Sequence, residues 1–106
     1  MYQLVFYVPA SHLEQVKTAL FAAGAGQFGD YDQCAWQTLG QGQFRPLPNS
    51  QPYLGQPGQL ESVEEYKVEM ICVDEQIQAA VTALLAAHPY QQPAYAIYKM
   101  LDVEDL

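Results

Sequence analysis

Positive charge is what this chain has least of: three lysines and a single arginine, Arg45, stand against twelve acidic side chains, for a formal charge of −8 over 106 residues. A field of that sign repels polyanions unless the few cations gather on one face, so nucleic acid is not an expected partner. Cysteine is almost as scarce. Cys34 and Cys72 have no C-x-x-C spacing, which excludes a disulfide framework or a zinc knuckle and leaves two free thiols, read as small interior hydrophobes in a reducing compartment. No apolar run approaches the roughly 20 residues that span a bilayer. The segment Met1–Val8 has neither a basic n-region nor a small-residue cleavage site, so a soluble, cytoplasmic chain without a signal peptide is expected. There are two histidines, His12 and His88, and neither has a partner at a spacing that marks a catalytic triad. An enzyme is therefore the class with least support.

What the chain does have is an internal echo. Leu13-Glu14-Gln15-Val16-Lys17-Thr18-Ala19-Leu20-Phe21-Ala22-Ala23 is repeated in character by Ile77-Gln78-Ala79-Ala80-Val81-Thr82-Ala83-Leu84-Leu85-Ala86-Ala87, and a strand-like run precedes each copy. Tyr2–Val8 is rich in β-branched and aromatic residues and stops at Pro9, which suits a short buried strand. Ser11-His12-Leu13-Glu14 has the form of a capping box that opens a helix over 11–24, with Leu13, Val16, Leu20 and Ala23 on one face and Gly24-Ala25-Gly26 as its stop. Asp32–Leu39 reads as a second strand. Gly40–Gly58 holds four of the seven prolines and four of the seven glycines and reads as an irregular arm. Leu60–Val73 alternates again and should be the longest strand, with Glu61, Glu64, Glu65 and Glu69 as a solvated outer edge. Asp74 is the expected N-cap of a second helix over 74–88, ended by Pro89, and Ala94–Leu101 is a final strand.

The order βαββαβ predicts an α+β, ferredoxin-like sandwich in one domain over 1–106, an antiparallel four-stranded sheet with two helices on one face. The other sheet face then lacks a cover, and some aromatic surface should lie in a subunit interface.

Four ordered motifs carry a family resemblance: Pro9-Ala10-Ser11-His12-Leu13-Glu14-x-Val16, Gly24-Ala25-Gly26-x-x-Gly29-x-Tyr31-Asp32-x-Cys34, Gly42-x-Phe44-Arg45-Pro46 and His88-Pro89-Tyr90-x-x-Pro93-Ala94-Tyr95. The chain resembles the YqfO-like small proteins, which are similar to the domain inserted in the middle of Nif-three-like dinuclear-metal proteins. The resemblance implies a CutA-like or PII-like version of the fold, commonly trimeric, and implies no settled activity. The dinuclear metal site of the longer relatives belongs to flanking domains, so its chemistry does not carry over. Gln91 and Gln92 stand where those relatives usually have two glutamates, so any charge or cation-binding role of that pair is lost here.

Several residues are then candidates for a site. His12, near the first turn of a helix, is either a neutral ligand or a histidine that ties the Pro9 turn to a neighbouring loop. His88 is either its metal-binding partner, for zinc or copper, or an anchor beside the rigid Pro89 turn. Gly24–Gly29 has the outline of a dinucleotide fingerprint but follows a helix instead of a strand, so its glycines are read as a helix stop and a tight turn. Tyr31 and Asp32 are candidate ligand contacts at the mouth of the second strand, though an acid there is usually solvated. Phe44 and Arg45 are read as a pair, the ring anchoring the arm and the guanidinium clamping an internal carboxylate in preference to hooking an outside anion. Tyr90 completes the set. The favoured reading is a non-enzymatic homo-oligomer, a trimer before a dimer, that binds a small molecule or protein in clefts formed by the arm and the His12, 24–32 and 88–93 loops. A divalent-metal protein using His12 and His88 comes second, and an enzyme third.

Overall fold

The structure, a computed structural model, describes residues 1–106. Strand β1 (Tyr2–Pro9) leads through a 3-10 turn (Ala10–His12) into helix α1 (Leu13–Ala22). Strands β2 (Trp36–Phe44) and β3 (Glu61–Cys72) follow, then helix α2 (Ile77–Ala87), strand β4 (Tyr95–Lys99) and a second 3-10 turn (Val103–Asp105). The four strands form one antiparallel sheet in the order β2-β3-β1-β4. The ferredoxin-like sandwich that the helix repeat predicts is the fold observed.

Period-two alternation decides the layers. Leu4, Phe6 and Val8 of β1 lie opposite Met70, Val68 and Tyr66 of β3, and this face meets Leu13, Val16 and Leu20 of α1 and Ala80 and Leu84 of α2 in one buried cluster. Each large aliphatic or aromatic side chain buried there contributes about 1.5–3 kcal/mol relative to exposure. The alternate residues point the other way: Tyr7 pairs with Lys67, and Val5, Glu69 and Trp36 lie abreast across three strands. No helix covers that side. Trp36 is 68% exposed and Tyr98, paired with Gln3 on the same face, is 59% exposed. The expected aromatic surface is therefore present.

Helix α1 ends as its glycines dictate. Gly24 takes φ +100, its N–H donates to Phe21 O and that of Ala25 to Leu20 O, both at 3.1 Å, which is the Schellman arrangement. The expected start is not observed. Ser11 falls inside the 3-10 turn and its Oγ meets His12 Nδ1 at 2.9 Å, so His12 occupies the N-cap position and no capping box forms. Asp74 does not cap α2 either. Its carboxylate takes the N-terminal amine and Lys99 Nζ, the latter at 2.9 Å, which holds its own pKa below the usual carboxylate range, and Gln76 stands at the N-cap without a side-chain bond.

Strand β2 is displaced along the chain from 32–39 to 36–44. The segment after α1 turns back on itself instead, with Phe28 and Tyr31 exchanging backbone bonds, Cys34 N–H donating to Gly26 O at 2.8 Å, and Gln33 held at φ 56, which no strand tolerates. Gly40 and Gly42, read as loop residues, pair with Glu65 and Val63 inside the ladder. The irregular arm thus begins at Arg45. Strand β3 is interior, between β2 and β1, so its acids are not an outer edge.

Candidate functional site

The ends of β1, β2 and β3 nearest the arm meet the loop that follows α2. His88 is the pin that fixes this loop. The residue is 6% exposed, its Nε2 donates to the carbonyl of Tyr7 at 2.7 Å, and its Nδ1 accepts from the N–H of Tyr90 at 3.1 Å. That pattern requires a neutral ring protonated at Nε2. Burial pushes the imidazole pKa down, partly opposed by the Tyr7 carbonyl and reinforced by the nearby His12. The arm closes on itself, Gly58 N–H donating to Pro46 O at 2.7 Å, and is joined to the same loop where Gln51 N–H donates to Gln91 Oε1 at 3.0 Å. Gln91 therefore fastens the arm to the 88–93 loop with a neutral amide where relatives were expected to carry an acid.

Between arm, loop and strand ends lies a cleft of about 280 Å³, walled by Phe44, Tyr53 and Tyr90 with Gln43 and Gln92 at its rim. The Tyr90 ring centroid is 6.0 Å from that of Phe44, 6.2 Å from that of Tyr53 and 4.9 Å from that of His88, all in tilted arrangements. Glu65 is its one charged lining residue. Glu65 projects from β3 across Gly42, where even a methyl group would overlap its carboxylate, so glycine at 42 is what lets the acid enter the cleft. Burial raises the Glu65 pKa, with the neighbouring Tyr90 hydroxyl pulling in the opposite direction. The Tyr90 phenol is pushed up to about 12, first by burial and then by the charge of Glu65. The Tyr90 hydroxyl is shut off from solvent and faces the Glu65 carboxylate, and although the pair falls short of ideal bonding geometry, their hydrogen bond contributes to both shifts.

The structure gathers some of the candidate residues and separates others. His12 meets Tyr53 edge-on at 5.7 Å, so His12, Tyr53, Tyr90 and His88 form a continuous aromatic chain. The two histidines share a cluster but do not touch. Both nitrogens of His88 are engaged by backbone, and no three His, Cys, Asp or Glu side chains converge, so these residues do not fit a zinc or copper site. Tyr31 and Asp32 are exposed, in the turn whose Gly26 bonds to Ile71 O. Ile71 lies six residues along β3 from Glu65, roughly 20 Å of extended strand. Phe44, the last residue of β2, meets the ring of Tyr90 where the arm begins. Arg45 does not clamp a carboxylate: it is exposed, and no ion pair or hydrogen bond engages its guanidinium. Arg45→Ala should accordingly leave the melting temperature within the scatter of ordinary surface substitutions, about 0.5 kcal/mol, by thermal denaturation.

Glu65 and Tyr53 belong to the cleft and were not singled out by sequence. Glu65 was hidden among four glutamates of similar pattern. The signal that could have marked it is Gly42 in a strand, since a strand glycine signals close approach of another group.

The fold defines the class first: a CutA/PII-like sandwich. CutA1 from Pyrococcus horikoshii superposes with a TM-score of 0.69 over 97% of this chain and 86% of its own, at 16% identity, which speaks to fold alone. A crystal structure of a Bacillus cereus protein related to NIF3 gives a TM-score of 0.81 at 36% identity, over 95% of this chain but 26% of that one. The proteins named GTP cyclohydrolase 1 type 2 homolog from Halalkalibacterium halodurans and Bacillus subtilis are 42% identical over 100 residues and 41% identical over 96 residues. No family model matches the chain. It spans about a quarter of the length of the curated relatives it matches, 27% and 26% of these two. The YqfO-like resemblance carried by the four motifs is thus a similarity to a quarter-length segment of NIF3-related proteins.

Proposed function

We propose that this chain is a single-domain, non-enzymatic, homo-oligomeric binding module that takes a small molecule in the cleft between the arm and the 88–93 loop. The observation that carries the reading is the cleft itself: an apolar space walled by Phe44, Tyr53 and Tyr90, with Glu65 as its one charged lining residue. The GTP-directed activity in the name of the longer relatives is not assigned to this quarter-length segment. Self-association is supported by the uncovered sheet face bearing Trp36 and Tyr98, and a trimer is favoured over a dimer. The absence of any helix long and apolar enough to cross a membrane is compatible with the cytoplasmic setting we favour.

Light scattering at tens of micromolar should give three times the 11.8 kDa chain mass, and a mass of one chain would remove the oligomeric part of the proposal. A metabolite panel scored by melting shift should yield stabilising compounds whose effect is lost in Phe44→Ala. Shifts that survive that substitution would place binding elsewhere.

A further inference from the structure

We infer that the occupant of the cleft is a compact organic cation whose charge sits on a methylated ammonium head, held by the rings of Phe44, Tyr53 and Tyr90 and by the carboxylate of Glu65. This rests on the reading of the cleft as a small-molecule site and names the chemistry of its ligand.

Charge sets the sign of the ligand. Glu65 is the only charged side chain lining the space, and the whole chain carries −8, so the local and the long-range field both attract a cation. No cation of the chain already serves this acid. The three ion pairs of the protein engage Asp74 and Glu14, and across the ladders Glu65 lies opposite Pro9 and Gly40. The Tyr90 hydroxyl, closed off from solvent against the carboxylate, takes one of the roughly four acceptor positions that two carboxylate oxygens offer. Glu65 is thus half-buried, desolvated and without a counter-ion, and a cation in the cleft offsets that cost. The walls decide which cation. The rings of Phe44 and Tyr53 are centred 6.0 and 6.2 Å from that of Tyr90, so a head seated among them lies within roughly 6 Å of more than one centroid, the reach of a cation–π contact. A primary ammonium is strongly hydrated and brings three donors, which one half-buried carboxylate does not satisfy. A methylated head has no such donor and meets ring faces instead. A metal ion finds no set of three ligating side chains here. The volume of about 280 Å³ lies at the lower end of small-molecule sites, which calls for a compact ligand.

The probe is choline, set against its uncharged carbon isostere 3,3-dimethyl-1-butanol, its primary-ammonium counterpart ethanolamine and the anion 3,3-dimethylbutanoate, all at one ionic strength so that screening is constant. Binding to the full chain is read by calorimetry together with side-chain chemical shifts of Phe44, Tyr53 and Tyr90. The expected result is that choline binds saturably, shifts the three rings and binds at least about tenfold more tightly than the isostere. Ethanolamine should bind more weakly than choline, and the anion should not bind. Glu65→Gln should weaken choline about tenfold or more and leave the isostere unchanged. Its amide oxygen still accepts from Tyr90, so the internal bond is kept. Tyr53→Leu, at a ring that is 54% exposed, should weaken choline about three- to tenfold, and Tyr53→Phe should restore it, because the cation meets the ring face and not the hydroxyl. The comparison of choline with its isostere needs no variant, so it decides the charge even if Glu65→Gln fails to fold. Equal binding of choline and the isostere, tighter binding of the anion, or unchanged choline affinity in a folded Glu65→Gln would overturn the cationic head while leaving the cleft as a binding site. Ethanolamine binding as tightly as choline would overturn the methylated head. If none of the four moves the three rings but a compound of the wider metabolite panel does, the inference falls and the binding role stands. If nothing moves them, both fall.

Discussion

Replacing His88 by alanine should cost about 2–4 kcal/mol, the sum expected for two lost hydrogen bonds, a backbone carbonyl and an amide left with poorer partners, and a cavity the size of the ring. The effect is that large because His88 does two jobs with one side chain. Its Nε2 bond to the Tyr7 carbonyl joins the α2 exit to β1, and its Nδ1 bond from the Tyr90 N–H sets the start of the loop that walls the cleft. Chemical denaturation would measure the loss, and a loss below about 1 kcal/mol would show that the loop is held by other contacts. The same residue gives stability a pH dependence of definite sign. Its pKa is lowered in the folded chain from an ordinary value of 6.5, so its contribution is complete above about pH 6.5 and is lost progressively as the pH falls toward the folded value. Glu65 works in the opposite sense. Its pKa is raised above 4.5, so the unfavourable burial of its carboxylate is relieved as acid protonates it, and part of the loss below pH 6.5 is offset. Wild-type stability should therefore fall more steeply than that of His88→Ala as the pH drops below about 6.5, and His88→Ala should flatten that part of the profile. Parallel wild-type and His88→Ala profiles below that pH would contradict the neutral, buried ring.

Much of the fold was legible because hydrophobic period is a global signal. The two helices could be read from Leu13, Val16 and Leu20 and from Ile77 and Leu84, whatever their ends do. The misreadings are local and share one cause, a polar side chain with more than one suitor. Ser11 and Asp74 have the residue types of N-caps, but Ser11 is taken by His12 Nδ1, and Asp74 by two cations in a chain that has very few. Gly40 and Gly42 look like loop residues by composition, yet they stay in β2 because the ladder with β3 satisfies their backbone groups and because Glu65 needs the space. The site was half legible. His12, Phe44, His88 and Tyr90 do converge, although the path between the histidines runs through Tyr53, a residue in an arm without any periodicity to read. Tyr31 and Asp32 sit in an equally specific motif but serve a separate turn, so sharing a family motif did not mean sharing a site.

Truncation of Phe6 tests the layer assignment on which the cleft depends, and it should have the largest effect in the molecule. Phe6 is fully buried at the centre of β1, opposite Val68, within the cluster that holds both helices to the sheet. Phe6→Ala should cost about 3–5 kcal/mol from lost burial and an unfilled cavity. Against the 5–15 kcal/mol typical of a native domain, that is enough to bring a small chain near its unfolding threshold. Its neighbour Tyr7, one residue on, points to the uncovered face and is about one-third exposed, so Tyr7→Ala should cost far less in the isolated chain, about 1 kcal/mol. The contrast between adjacent positions is what a one-residue slip would reverse, because a shift of one flips every side chain to the other face. Thermal or denaturant unfolding of the two variants at low protein concentration would read it directly. Equal losses at low concentration would mean that β1 is buried on both faces within one chain, whereas a Tyr7→Ala loss that grows with wild-type concentration would locate the uncovered face in contact with a second copy.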